Sequence, residues 1–366
     1  IVVANGKNLN YSGNVFNVGA QMLTLSGAGV FANTNNLTLN DPASSLKLNG
    51  ISEVQKVSIS AELTSGKLEI AQNSTIEVLT HSGSSRVDIY NEKVLTLSNA
   101  FEIPYGKLME LVGSGGGTLS LSNKLTLSGT LKVNASDDIL EGGTLSLNGG
   151  TLEISKDAGI SSTVLNDASS ELKISSGKSL TFSGGNLNVG SHTLSIGGAG
   201  TFSNATGSPL VLDVADSILD LTGNVIISGP VKLENGTLRV SSGTPTISGA
   251  LTQSADVTID VTTGQTLTYS GASLSLGANT LTLSGGGAFS NTNALVLNDE
   301  DSLLSLAGIL TIGNVNATAA ANAGKGIQVT SSATLGTFDL TAVSNLDIAV
   351  DQTLAGQVRL QSNGEL

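Results

Sequence analysis

The chain has 366 residues, a net charge of −13, 12% charged and 3% aromatic residues, 45 glycines, and neither Trp nor Cys. That excludes a disulfide-stapled scaffold and a core built around large side chains. With only three arginines (Arg86, Arg239, Arg359) it also disfavours nucleic acid and anionic membrane surfaces as partners.

Hydrophobic residues make up 39% of the chain, which argues for order. No apolar run approaches the length of a membrane span, so no membrane insertion of this segment is expected. The absence of cysteine permits either an oxidising or a reducing compartment. No basic-then-apolar signal opens the chain. The pattern starts and stops midway, as expected of an excerpt from a longer protein.

In chain order, the first landmark runs from Leu9 to Asn33, L-N-Y-S-G-N-V-F-N-V-G-A-Q-M-L-T-L-S-G-A-G-V-F-A-N. A worn copy starts at Leu95 (L-T-L-S-N-A-F-E-I-P-Y-G, then G-S-G-G-G-T-L-S-L-S-N), and close copies start at Leu180 and Leu267. A fifth begins at Leu354, preceded by Asp351-Gln352-Thr353 as Leu267 is by Gly264-Gln265-Thr266. The starts are spaced by 86, 85, 87 and 87 residues, which marks an array rather than a string of unlike domains. Residues 1–366 are accordingly expected to form a single β-solenoid domain.

Between landmarks the unit is an apolar-polar-apolar triplet, as at Leu187/Val189, Leu194/Ile196, Leu210/Leu212, Leu219/Leu221 and Leu238/Val240. Period-two alternation marks a strand with one buried face. Gly, Asn, Ser and Asp fill the gaps with turn chemistry. No stretch shows helical periodicity. Such short strands predict an all-β parallel β-helix with three sides per coil, about 20–22 residues per coil and about four coils per 86-residue unit. The whole then holds about 17 coils, roughly 80 Å of strand stacking. Two-sided coils of about 14 residues are the alternative.

Phe31, Phe202 and Phe289 share one position of the repeat, where the worn copy has Leu119; Tyr11, Phe182 and Tyr269 share another. These rings are expected to pack on aliphatic rows rather than on each other. Glycines before the Phe column (Gly27-Ala28-Gly29, Gly198-Ala199-Gly200, Gly285-Gly286-Gly287) predict a tight corner. Asn33, Asn204 and Asn291 follow, as amide ladders or as ordinary turn residues. Pro104 and Tyr105 interrupt the repeat, and Asn314 to Gly326 has lost it and predicts a surface loop, mainly as a plain insertion.

Chemistry-bearing residues are few. His81 lies near Arg86 and Asp88, either as a small site or as exposed turn polarity, and His192 reads as a polar turn residue in place of Gln21 and Asn279. Neither makes a zinc set. Asn298-Asp299-Glu300-Asp301 matches Asn40-Asp41 and Asp213, and Asp137-Asp138 with Glu141 is a second acidic group. Calcium is conceivable at either, against solvated turn acids, because a hard cation needs six or more converging oxygens. Ser175-Ser176-Gly177-Lys178 fits S-x-x-K but lies at a turn. No catalytic, cofactor-binding or metal-binding residue is therefore assigned, and an enzyme is not expected.

The strings G-N-L-N-V-G, T-L-S-I-G-G-A-G and G-T-L-R-V-S-S-G resemble the repeats of bacterial surface β-solenoids, the autotransporter passengers and filamentous-haemagglutinin-like adhesins. The resemblance covers the whole chain in repeat style, without a specific motif. It implies a right-handed parallel β-helix, extracellular or at the cell surface, acting as adhesin, stalk or self-assembling filament or surface-layer subunit. Implied partners are further copies of itself, stacked end to end, and a cell-surface or glycan ligand. A polysaccharide lyase of β-helix type and a glycan- or ice-binding flat face are the alternatives, the last from outward Thr such as Thr24 and Thr282.

Overall fold

The computed structural model describes residues 1–360 except 114, 206 and 341–344, and the backbone alone at 137–139, 354 and 360. These residues fall into two compact units, Ile1–Gly185 and Asn186–Leu366. No helix occurs among the described residues, and every strand ladder of two or more residue pairs is parallel, as in Leu194↔Leu219, Phe202↔Ile227 and Leu210↔Val231. Antiparallel contacts are confined to isolated bridges such as Thr262↔Gly286 and Ser284↔Gly308.

The second unit shows the plan most simply. Thr193–Gly198 lies on face I, Thr201–Asn204 on face II and Leu210–Leu212 on face III; the next turn repeats them as Ile218–Leu221, Ile226–Ile227 and Val231–Leu233. The coil is thus three-sided. Face I carries eight strands in each unit, sixteen turns among the described residues where about seventeen are expected. Equivalent residues on face I lie between 19 and 25 apart, from Leu219↔Leu238 to Leu194↔Leu219. In the first unit the corner between faces II and III is partly smoothed away. There Glu53–Ile59, Ser74–His81, Thr118–Leu127 and Asp137–Asn148 each run round it as one bent strand.

Stacking is what makes such strands stable. Ordering three residues costs about 3–6 kcal/mol of backbone entropy. Burying two aliphatic side chains returns about the same, so a lone triplet breaks even. Pairing on both edges and aliphatic columns above and below tip the balance. One column reads Leu194, Leu219, Leu238, Ile259, each fully buried, with polar Ser195, Asp220, Arg239 and Asp260 between the rows facing out.

The repeat and the ladder differ by one pleat. Sequence repetition maps Leu23 onto Met109 and Leu194 onto Leu281, whereas the ladders lead through Leu46, Leu68 and Val87 to Leu111, and through Leu219, Leu238 and Ile259 to Leu283. The slip falls in five-residue strands, Ser85–Ile89 and Val257–Val261, that pair with their two neighbours through offset segments. A two-residue offset keeps the same side chains pointing inward, so the core tolerates it.

The predicted tight corner lies between faces I and II. Gly27 and Gly285 have φ of 87° and 97°, and a Cβ would lie 2.1 Å from Val3 O and 2.4 Å from Val261 O respectively. The aromatic expectation needs correction in the first copy: Tyr11 stacks on Phe31, ring centroids 6.4 Å apart, and meets Phe16 edge-on at 5.6 Å. Tyr11 and Phe31 belong to neighbouring turns, since Tyr11 pairs with Asn33 and Leu9 with Phe31. The loop expected over Asn314 to Gly326 is also shorter than read. Val315–Ala317 forms a face III strand with Val315 and Ala317 buried, and only 318–325 leaves the coil.

Candidate functional site

The residues singled out in the sequence do not assemble as one site. His81 points into the core, 5% exposed, edge-on to Phe101 at 5.9 Å, while Arg86 and Asp88 lie on the outer side of Ser85–Ile89. The candidate trio His81/Arg86/Asp88 is therefore split between inside and outside. His81 Nε2 lies 2.7 Å from Ser85 Oγ, and Nδ1 has no partner. Burial is the main cause that pushes the imidazole down to about 4, so it is neutral at pH 7. His192 stands at the corner entering face I, where its carbonyl accepts a hydrogen bond from Ile218 N. Ser175 to Lys178 forms a turn closed by Lys178 N donating to Ser175 O at 3.0 Å.

The acidic corners are capping devices. Asn40 Oδ1 accepts from Gly19 N, Asp213 Oδ1 from Gly190 N and Asn298 Oδ1 from Gly277 N, at 3.0, 2.8 and 3.0 Å. Ser217 Oγ and Ser302 Oγ donate to Gly190 O and Gly277 O at 2.7 and 2.6 Å, and Ser44 Oγ bonds Gly19 O in the same way. Asp41 and Asp299 accept from Ala43 N and Asp301 N within their own turns. Of the second calcium candidate, the Asp137 and Asp138 side chains lie outside the described residues. Among the described residues no three His, Cys, Asp or Glu side chains converge.

The asparagine column is not an amide ladder; each member bonds its own turn and also the next one. Asn33, Asn204 and Asn291 are buried, and each Nδ2 donates once to its own corner and once to the following turn. For Asn291 the acceptors are Asn293 O at 2.9 Å and Asn314 O at 2.6 Å, and Oδ1 accepts from Gly313 N at 3.0 Å. The worn copy replaces the Tyr11/Asn33 neighbours by Leu97/Leu121, which are also paired and buried.

A notch lies in the first unit, at the corner from face III to face I. Three successive turns enter face I there through connections of unequal length: 60–66, 82–84 and 104–107. The short middle connection lies recessed between longer neighbours. Gly83 allows this, because a Cβ there would lie 2.0 Å from Ala61 O. The result is a cavity of about 420 Å³ lined by Leu63, Thr64, Ser65, Lys67, Arg86 and Glu110, among others.

Its wall is held across three turns. Leu63 N donates to Ser84 O at 2.8 Å, Ser84 N to Glu62 Oε2 at 2.7 Å, and Leu108 N to Ser84 Oγ at 3.1 Å. Glu62 also pairs with Lys107, two turns on, and Lys107 with Ser84 holds its carboxyl down to about 2. Below, Ser85 backs onto His81.

From the notch, columns of charged residues run along face I. In register are Lys47, Glu69 and Asp88, and, one pleat over, Arg86, Glu110, Lys132, Glu153 and Lys173. Lys67 Nζ lies 2.7 Å from Glu69 and 3.1 Å from Asp88, and Lys47 Nζ 3.3 Å from Glu69. Burial of Glu69 opposes its ionisation, but the two lysines outweigh that and lower its pKa. In the second unit the same face carries Asp220, Arg239 and Asp260 in register, with Arg239 Nη2 2.8 Å from Asp220.

Sequence reasoning missed Glu62, Ser84, Lys107 and Glu110. The available signal was a sign alternation of outward residues spaced by about one coil. Comparison of the chain with known protein families, curated proteins and solved structures finds no match.

Proposed function

We propose that this chain is a non-catalytic structural protein, a stiff β-solenoid segment displayed outside the cell for adhesion or as part of a stalk, filament or surface layer. The observation that carries this reading is the unbroken parallel pairing through eight turns in each unit, with an aliphatic interior and polar outer rows. The resemblance of the repeats to bacterial surface β-solenoids points the same way. End-to-end association of copies belongs to the reading, because any uncovered terminal turn of a solenoid presents unpaired backbone groups.

Negative-stain images of the purified protein at rising concentration, with biotinylation of lysines on intact source cells, test it. Elongated particles and surface labelling are expected. Globular particles, or lysines reached only after lysis, overturn it.

A second reading, a flat binding face, is favoured by one feature of the second unit. Its face II strands carry no charged residue, and outward Thr246↔Thr268 and Thr311↔Thr334↔Thr353 are in register. Thermal hysteresis of dilute solutions decides for or against ice as the ligand of that face.

A further inference from the structure

We propose that the notch between 60–66 and 104–107 is a binding site for a short neutral oligosaccharide. The inference deepens the adhesion part of the reading above and rests on it.

Its polar groups come in both senses. Arg86, with a side chain 48% exposed, and Lys67 offer donors; Glu110 offers acceptors; Thr64 and Ser65 offer hydroxyls of either sense. Sugar hydroxyls need that mixture, since each both donates and accepts.

The charge balance selects a neutral ligand. Lys47 and Lys67 pair with Glu69, Lys67 and Arg86 with Asp88, and Lys107 with Glu62. An acidic glycan would have to displace a carboxylate already in place, and a cationic one a guanidinium or ammonium. A neutral sugar displaces only water.

Apolar surface is present beside the polar groups. Leu63 and Leu108 line the cavity. Apolar carbon surface beside polar donors and acceptors suits the C–H face of a pyranose.

The site is also preorganised. The Glu62–Lys107 pair and the three hydrogen bonds through Ser84 and its neighbours tie the walls together before any ligand arrives. The cavity of about 420 Å³ falls within the usual range for small-ligand sites.

The test is an immobilised panel of trisaccharides, with neutral hexose and N-acetylhexosamine trimers against galacturonate and mannuronate trimers, probed with the whole chain. Retention of at least one neutral trimer is expected. Arg86→Ala, Glu110→Ala and Thr64→Ala should each weaken it on the order of tenfold, with an unchanged unfolding midpoint as the check on folding. Thr282→Ala in the second unit should leave binding intact.

No neutral trimer retained, acidic trimers retained in preference, or retention insensitive to all three notch variants overturns the proposal. Elongated particles in the images together with any of these results would discard the notch and leave the rod.

Discussion

Single side chains in this fold act between turns. Asn291 joins its own corner to the next turn through three hydrogen bonds while buried. Replacing it by Ala leaves Gly313 N without its partner and Asn314 O with only the bond from Leu295 N, and the expected loss is about 1–3 kcal/mol in urea unfolding. Gln265 and Gln352, equivalent by repeat, play a similar part, accepting from Gly243 N and Ala333 N of the preceding turn.

His81 gives the first unit a pH dependence. Its folded pKa of about 4 lies below the ordinary 6.5, so the folded state prefers the neutral ring. That contribution is full above pH 6.5 and is lost as pH falls from 6.5 towards 4, a change of roughly 3 kcal/mol. Unfolding free energies measured across this window should fall for the wild type and stay nearly level for His81→Gln. Glu62, held at about 2, acts in a lower window, its share being lost as pH falls from 4.5 towards 2.

At the scale of strands and corners, the corner glycines and the charged rows carry most information. Gly285 combines φ of 97° with a Cβ position 2.4 Å from Val261 O, whereas Gly264, at φ 79°, has open space around it. Gly264→Ala therefore meets only backbone strain, about 1 kcal/mol. Gly285→Ala adds a clash and should lower the thermal midpoint distinctly further.

From Arg86 to Lys173, residues of opposite charge face each other on successive turns of face I. Lys132 stands between Glu110 and Glu153. Lys132→Glu would align three carboxylates, costing about 1 kcal/mol at low ionic strength. Added salt should shrink that loss, because these side chains are partly exposed. A loss independent of salt would mean that packing, not charge, sets the row.

Across the whole molecule, a charge of −13 spread over a chain with few charged residues opposes contact between copies at low salt. Scattering at fixed protein concentration should therefore show association growing as salt rises, with single particles prevailing at low ionic strength. Association that weakens with salt would instead identify complementary charged surfaces.

The strand class, the inward side chains and the tight glycine corner were legible in the linear text. A period of two names the buried face of each strand, and an 86-residue repeat leaves few architectures besides stacked coils. Those are local properties, written in residues a few positions apart. The Glu62–Lys107 tie, the separation of His81 from Arg86 and the one-pleat slip at Ser85–Ile89 were not legible. Each depends on which residue of one turn lies over which residue of the next. That is set by corner lengths varying from turn to turn, so only the stacked chain determines where a notch opens and which charges meet.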